Sequence, residues 1–238
     1  MNRSEKWKEV WERKGRERRE NLTLGDLIAM DGFDKGAGKM SEEAKMKAVG
    51  IVKRELDLKK SNFLLEVGCG AGAMLLPLSE TGIKVAGLDF SSSLIEVAKR
   101  AIPNLIALVG EACKLPFGRN VFDAVLAHSV FHYFPDYGYA DRTLLEMLRV
   151  SKEDGKILIM GIPDFSKKEI SEKHRRGALS EEEYARLYSD YSHLYYDKNW
   201  FKNFAERNEF YVKIFDQNIE GYGESSFRFN VLLRRVER

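Results

Sequence analysis

Short apolar runs alternate with helical patterns through the middle of the chain. They span residues 63 to 67, 83 to 88, 105 to 109, 121 to 126 and 156 to 162. The runs carry little polar alternation, which is typical of strands that are buried on both faces. Because helical segments lie between them, the repeat predicts an α/β fold with a parallel sheet and right-handed crossovers.

Further predicted elements precede and follow the regular alternation. Helical patterns at about 4 to 20 and 41 to 56 precede it, separated by the glycine-rich stretch 31 to 38. After 163 a polar, tyrosine-rich stretch leads to a helix at about 198 to 208. The last two apolar runs, 211 to 215 and 227 to 233, are expected to pair as an antiparallel edge. We therefore predict one domain with four parts: 1–58, 59–162, 163–198 and 199–238.

Local signals place several boundaries inside the core. The pattern from Ser93 to Glu96 is that of a capping box, which predicts a helix beginning there and ending near Pro103. A helix over 73 to 81 is expected to end at Gly82, and a turn is expected at 154 and 155 before the next strand.

Composition restricts the classes of partner. With 238 residues, 44% hydrophobic, the chain can bury one sizeable core. Its 39 basic and 37 acidic residues nearly balance, which disfavours a nucleic-acid binder. The basic run 13 to 19 contains a glutamate and is either a solvated helix face or a local polyanion contact.

Targeting and cysteine patterns favour a cytoplasmic protein. The first residues lack the apolar segment of a signal peptide, and we find no apolar window of about 20 residues, so no membrane insertion is expected. The two cysteines belong to no ligand cluster, which predicts neither a disulfide scaffold nor a metal site. The oligomeric state, monomer or homodimer, is left open.

A glycine-rich turn carries the first chemical signal. The stretch Glu66-Val-Gly-Cys-Gly-Ala-Gly72 follows a strand and leads into a helix, so a ligand can approach its backbone closely. With Ala73 and Asp89 the same residues also fit a dinucleotide fingerprint. Glu66 argues against a dinucleotide site, because a carboxylate there would repel a pyrophosphate. It would attract S-adenosylmethionine, which carries an ammonium and a sulfonium and no phosphate.

Five ordered motifs over about 60 to 162 resemble the class I S-adenosylmethionine-dependent methyltransferases, particularly the type 11 group of small-molecule enzymes. The motifs are Leu64–Gly72, Val85–Ser91, Gly110–Phe117, Phe122–Tyr133 and Leu148–Lys156. The resemblance implies a Rossmann-like, doubly wound, mostly parallel seven-stranded sheet with an antiparallel edge strand. It also implies N-terminal helices and an inserted helical cover after strand five.

The resemblance also implies roles for individual residues. The methionine end of the cofactor is expected at Glu66, Gly68, Cys69, Gly70 and Gly72. The ribose is expected at Asp89, and the adenine at Phe90, Ser91, Glu111, Ala112 and Cys113. Here Glu111 replaces the aspartate that is usual in the adenine loop, which makes it a weaker expectation than Asp89. Contacts from His128 and Ser129, at the end of the fourth strand, complete the expected cofactor site.

The acceptor side has fewer signals. A histidine can take a proton near neutral pH, so His132 is the first candidate for a general base and His128 the second; loop packing is the alternative for both. Tyrosines at helical spacing form either core or substrate wall; they are Tyr184, Tyr188 and Tyr191 with Leu187, followed by His193, Tyr195 and Tyr196. The loop 31 to 40 is either a lid or a connector.

Together these observations predict an enzyme that transfers a methyl group from S-adenosylmethionine to an oxygen or nitrogen of a small molecule, with S-adenosylhomocysteine as product. The alternatives are an RNA or protein methyltransferase, a cofactor-binding protein without catalysis and, on the shared glycine pattern, a nicotinamide oxidoreductase.

Overall fold

The computed structural model describes residues 3–16, 22–178, 180–182 and 193–236. Its strands are β1 (Phe63–Val67), β2 (Lys84–Asp89), β3 (Ile106–Val109), β4 (Phe122–His128), β5 (Ser151–Pro163), β6 (Phe210–Asp216) and β7 (Arg228–Arg235). Its helices are α1 (Arg3–Gly15), α2 (Leu24–Met30), α3 (Glu42–Glu55), α4 (Leu75–Glu80), α5 (Ser92–Ala101), α6 (Tyr137–Val150), α7 (Lys168–Gly177) and α8 (Lys198–Arg207).

The seven strands form one sheet in the order β3-β2-β1-β4-β5-β7-β6. Strands β1 to β5 pair with one another in parallel, and β7 is antiparallel to both β5 and β6. This confirms the predicted mostly parallel, doubly wound sheet, and it shows that the antiparallel strand lies one place in from the edge. The strand order reverses between β1 and β4, which opens a crevice at the carboxyl ends of these strands.

Alternation along the strands assigns side chains to the two faces. Leu65 and Val67 of β1 pack in a cluster with α6 and α8, whereas Leu64 packs in a second cluster with α3 and α4. Successive residues of a strand point to opposite faces, so Glu66 shares the face of Leu64. The carboxylate of Glu66 is therefore directed to the side of the sheet that α3 covers.

The N-terminal helices cover the glycine turn. Residues of α1 and α2 pack in one cluster with Ala71 and with Leu94 of α5. The sequence analysis predicted α1 and α3 but not α2, whose first turn carries a capping box between Thr23 and Asp26. That signal was present in the sequence, but the helix of seven residues is too short to show a clear apolar period.

Two local predictions need correction. Helix α5 is capped by Ser91, whose hydroxyl accepts from the Leu94 amide, and not by Ser93. Ser93 is turned away because its hydroxyl donates to the carbonyl of Glu12 in α1. The expected turn at 154 and 155 lies within β5, where the pairing with β4 shifts register between Phe122 and Ala124. Tyr184, Leu187, Tyr188 and Tyr191 lie outside the described residues.

Candidate functional site

A cavity of about 550 Å³ lies at the carboxyl ends of β1, β2 and β4, at the reversal of strand order. Eleven of the predicted site residues line it: Glu66, Gly68, Cys69, Gly70, Asp89, Phe90, Glu111, Ala112, His128, Ser129 and His132. Three others, Gly72, Ser91 and Cys113, are absent from its wall. The sheet therefore brings residues from separate motifs together around one space.

The glycine turn allows close approach to the backbone. Gly68 and Gly70 have φ angles of 75° and 53°, in the left-handed region that favours glycine. A Cβ at Gly68 would lie 2.3 Å from a methyl carbon of Val130, and one at Gly70 would lie 2.2 Å from Oδ1 of Asp31. Side chains at these two positions are excluded, so the backbone itself forms this part of the wall.

Asp31 closes the glycine turn from above, a role that the sequence analysis did not anticipate. Its carboxylate accepts hydrogen bonds from the amides of Ala71 (2.6 Å) and Ala73 (3.2 Å). Burial raises the pKa of Asp31 to about 6, against the attraction of Lys45 and these two amides. Asp31 begins the loop 31 to 40, whose residues also line the cavity, so this loop lies over the site.

Lys45 and Glu66 are oppositely charged side chains that line the same cavity. Both side chains are buried, with exposed fractions of 1% and 2%. Oε2 of Glu66 accepts no hydrogen bond, and the carboxylates of Asp31 and Glu66 attract the ammonium of Lys45. The ammonium of Lys45 lies 4.5 Å from the ring centre of Phe33. A ligand with both an anionic and a cationic group would satisfy both side chains.

Burial dominates the titration of this pair. The pKa of Glu66 is raised well above its ordinary value by burial and by the negative charge of Asp31. The pKa of Lys45 is lowered by burial, although the two carboxylates oppose the shift. The sequence carried a signal for Lys45, since it falls on the apolar stripe of α3 with Ala48, Val49 and Val52.

Asp89 ends β2 at the next part of the wall. Its two carboxylate oxygens accept from the amides of Gly70 and Ser91, each at 2.9 Å. Burial raises its pKa to about 6, while these backbone hydrogen bonds lower it. A carboxylate has about four acceptor positions, so Asp89 retains capacity for further donors. Its position beside Phe90 suits a hydroxylated group next to a planar one.

The far side of this region is formed by the loop after β3. Glu111 accepts a hydrogen bond of 2.6 Å from the hydroxyl of Tyr139, which orients it at the cavity. The three predicted residues outside the wall have structural surroundings instead. Ser91 caps α5, Cys113 contacts Tyr139, and a Cβ at Gly72 would lie 2.9 Å from Ile102.

The opposite end of the cavity contains the fourth-strand histidines. The ring of His128 stacks on Phe33 with 5.7 Å between ring centres, and its buried Nε2 has no hydrogen-bond partner. His132 is 2% exposed, and its Nδ1 lies 3.3 Å from Nη1 of Arg228. Burial lowers the pKa of both histidines well below the ordinary value, and nearby cations add to this.

A buried network supports His132 from β7. Arg228 donates to the carbonyl of Gly161 at 2.6 Å and forms an ion pair with Glu224, while Arg175 lies 3.0 Å from the other oxygen of Glu224. Burial opposes ionisation of Glu224, yet the two guanidinium groups hold its pKa below the ordinary value. No sequence motif pointed to these residues, because they lie far from the fourth-strand motif along the chain.

Aromatic side chains cover this end. The ring centre of Tyr133 lies 4.6 Å from that of Trp7, 5.4 Å from that of Trp11 and 5.7 Å from that of His193. All four line the cavity. Leu194 donates its amide to the carbonyl of His132 at 2.9 Å, which holds residues 193 and 194 against the site. Flat walls of this kind favour a planar ligand.

Comparison with known proteins finds a similar domain in the middle of the chain. A family model described as a methyltransferase domain, type 11, matches residues 65–159. The demethylmenaquinone methyltransferase of Renibacterium salmoninarum is 35% identical over 96 residues, 40% of this chain and 39% of that protein. That of Shouchella clausii is 31% identical over 154 residues, 59% of this chain and 64% of that protein. The chain thus spans less than two thirds of either relative.

A solved structure extends the likeness to the whole fold. Magnesium protoporphyrin IX methyltransferase from Synechocystis, determined with bound S-adenosylmethionine, superposes with a TM-score of 0.63. The alignment covers 99% of this chain and 98% of that one at 11% identity, which shows a shared fold. None of the described helices is long and apolar enough to cross a membrane. The likeness to a methyltransferase domain of type 11 thus covers residues 65–159, and the wider likeness to the solved structure is one of fold.

Proposed function

We propose that this protein transfers the methyl group of S-adenosylmethionine to an oxygen or nitrogen of a small molecule and releases S-adenosylhomocysteine. The observation that carries the proposal is the buried pair of oppositely charged side chains, Glu66 and Lys45, on one wall of the cavity, in which Oε2 of Glu66 accepts no hydrogen bond. An α-amino acid group carries both complementary charges. When bound, the cofactor supplies an electrophilic methyl group on a sulfonium.

Each end of the cofactor has a matching group in the chain. In our proposal Glu66 accepts from the ammonium, Lys45 binds the carboxylate and Asp89 accepts from the ribose hydroxyls. The adenine lies beside Phe90 and the loop that carries Glu111. Three acids and one lysine surround this end, so the potential favours a sulfonium over the neutral sulfur of the product.

The size and lining of the cavity support a small acceptor. A volume of about 550 Å³ lies within the range of small-molecule sites, and part of it must hold the cofactor. The two named relatives act on a demethylmenaquinone, which agrees with a small and partly planar acceptor. Orientation of the acceptor against the methyl group, with water excluded by α1 and the loop 31 to 40, supplies the main catalytic effect.

Calorimetry with three ligands tests the cofactor assignment. We expect S-adenosylmethionine and S-adenosylhomocysteine to bind and NAD to show no binding at the same concentrations. Asp89→Ala should weaken both adenosyl ligands, because it removes a charged acceptor. Unchanged affinity in this variant, or preference for NAD, would overturn the assignment. Release of S-adenosylhomocysteine with an acceptor panel separates an enzyme from a binding protein without catalysis.

A further inference from the structure

The hydrogen bond between Arg228 and His132 defines the protonation of the histidine. A guanidinium has donors and no acceptor, so Nδ1 of His132, 3.3 Å from Nη1 of Arg228, must present its lone pair. Arg228 cannot turn away easily, because it also donates to the carbonyl of Gly161 and pairs with Glu224. The neutral ring therefore carries its hydrogen on Nε2.

This tautomer changes the role expected for His132. The lone pair that a general base needs is engaged by Arg228, and the other ring nitrogen is already protonated. A second proton would place a cation against Arg228 inside a buried site. His132 is therefore suited to donate a hydrogen bond, and the sequence-based expectation of a base fits this geometry poorly.

The charges at the two ends of the cavity have opposite character. Glu66, Asp31 and Asp89 line the cofactor end, whereas Arg228 lies behind His132 at the acceptor end. The titratable and charged groups around His132 from neighbouring elements are His193, His128, Arg228, Arg175 and Glu224. Glu224 pairs with both arginines, so these three side chains together leave one positive charge. A cationic acceptor such as an ammonium is disfavoured beside these groups, whereas an anionic oxygen is stabilised.

We propose that the acceptor is a phenol or enol on a planar ring, and that it reacts as its oxyanion, held by the Nε2 hydrogen of His132 with Arg228 behind it. This inference rests on the proposed function and identifies its acceptor class. The hydroxyl gives its proton to solvent on binding, so His132 accepts none. The oxyanion then forms the new bond to carbon, the bond between that carbon and sulfur breaks, and its electron pair neutralises the sulfonium. The aromatic wall of Trp7, Trp11 and Tyr133 holds the ring.

A spectroscopic titration tests the proposal on protein saturated with S-adenosylhomocysteine. The probe is 4-nitrophenol, whose phenolate absorbs visible light, and nitrobenzene is the matched ligand without the hydroxyl. Below the solution pKa of the probe, we expect the bound probe to show phenolate absorbance. We expect its affinity to exceed that of nitrobenzene about ten-fold, the effect of one charge-assisted hydrogen bond.

Two variants separate a hydrogen-bond donor from a base. His132→Gln places an amide N–H near the position of Nε2 and an oxygen that can accept from Arg228, so we expect it to keep most of the preference for the phenolate. In His132→Leu we expect the preference for the phenolate to fall about ten-fold. The rate of methyl transfer to a phenol acceptor distinguishes the two roles. If His132 is a base, both variants should lose the same activity. If it is a hydrogen-bond donor, His132→Gln should retain activity that His132→Leu loses.

The outcomes distinguish this inference from the proposed function. Loss of S-adenosylhomocysteine binding by the wild-type protein would overturn the function itself. If that ligand binds, the inference is overturned when nitrophenol fails to bind, binds as the neutral phenol, or binds no tighter than nitrobenzene. It is also overturned when His132→Gln is as defective as His132→Leu although both variants retain the wild-type melting temperature.

Discussion

The proposed contact between Lys45 and the cofactor carboxylate leads to a quantitative test. Lys45→Met keeps an unbranched chain in the buried site and removes only the ammonium. A hydrogen bond between charged groups contributes a net 1.5 to 3 kcal/mol, that is, about 10- to 150-fold in affinity. We expect S-adenosylmethionine and S-adenosylhomocysteine to bind that much more weakly to the variant in calorimetry.

A second ligand makes this test specific. 5′-Methylthioadenosine keeps the adenine, the ribose and the sulfur but lacks the amino-acid group, so its affinity should be the same for wild type and Lys45→Met. Glu66→Gln is the matched variant at the ammonium position and should show the same pattern. An equal loss for both ligands, or no loss for either, would refute the proposed contact.

The stability of Lys45→Met provides its control. The ammonium lies in a buried site near Asp31 and Glu66, and burial already lowers its pKa. The substitution leaves the buried carboxylates of Asp31 and Glu66 without this counter-charge, so we expect a lower melting temperature. An unchanged affinity for 5′-methylthioadenosine then shows that the weaker binding of the other two ligands does not report damage to the fold.

Three further predictions concern stability. Gly72→Ala should lower the free energy of unfolding by about 1 to 3 kcal/mol in urea titrations, because φ is 92° and the added Cβ would lie 2.9 Å from Ile102. Affinity for S-adenosylhomocysteine in the folded fraction should persist, and its loss would place Gly72 in the site. Glu12→Gln weakens the hydrogen bond of 2.7 Å that the Ser92 amide donates to Glu12 at the first turn of α5. It should lower the free energy of unfolding by about 1 kcal/mol, measured by tryptophan fluorescence in urea, and an unchanged midpoint would contradict this. Burial raises the pKa of Asp31 and Asp89 from 3.8 to about 6, so these two groups hold more protons in the folded protein than in the unfolded chain and stabilise it as the pH falls from 7 to 5. His128 and His132 have lowered pKa values and oppose this effect, so the net stability should change little. Affinity for S-adenosylmethionine should decrease over the same range, and an affinity that stays constant in calorimetry would contradict the assignment.

Local patterns determined the central part of the molecule. The apolar runs predicted β1 to β4 within two residues and the carboxyl-terminal part of β5, because strands buried on both faces need continuous apolar sequence. The glycines were identifiable because a turn that brings backbone to a ligand needs residues that adopt positive φ. Glu66 was identifiable because a carboxylate beside this turn would repel a pyrophosphate. Asp89 followed from its position at the end of the next strand.

The tertiary structure decided what surrounds those motifs. Lys45 faces Glu66 because α3 covers the face of the sheet to which alternate residues of β1 point, and no local pattern encodes that packing. The same arrangement leaves Gly72 against α5 although it belongs to the same motif as Gly68. Distance along the chain to the ligand-binding glycines was therefore a poor guide to which residues line the cavity.

The role of His132 shows most clearly which properties follow from the sequence and which depend on the tertiary structure. Its sequence context, at the end of a strand in an α/β sheet, predicted a position beside the acceptor, and the structure has it on the cavity wall. Whether it donates or accepts a proton depends on the group at Nδ1, which is Arg228, 96 residues later in the chain. That contact exists because the antiparallel β7 pairs with β5, beside the strand that ends at His128. The sequence by itself determined which side chains are available, and long-range strand pairing determined their protonation and thus their chemistry.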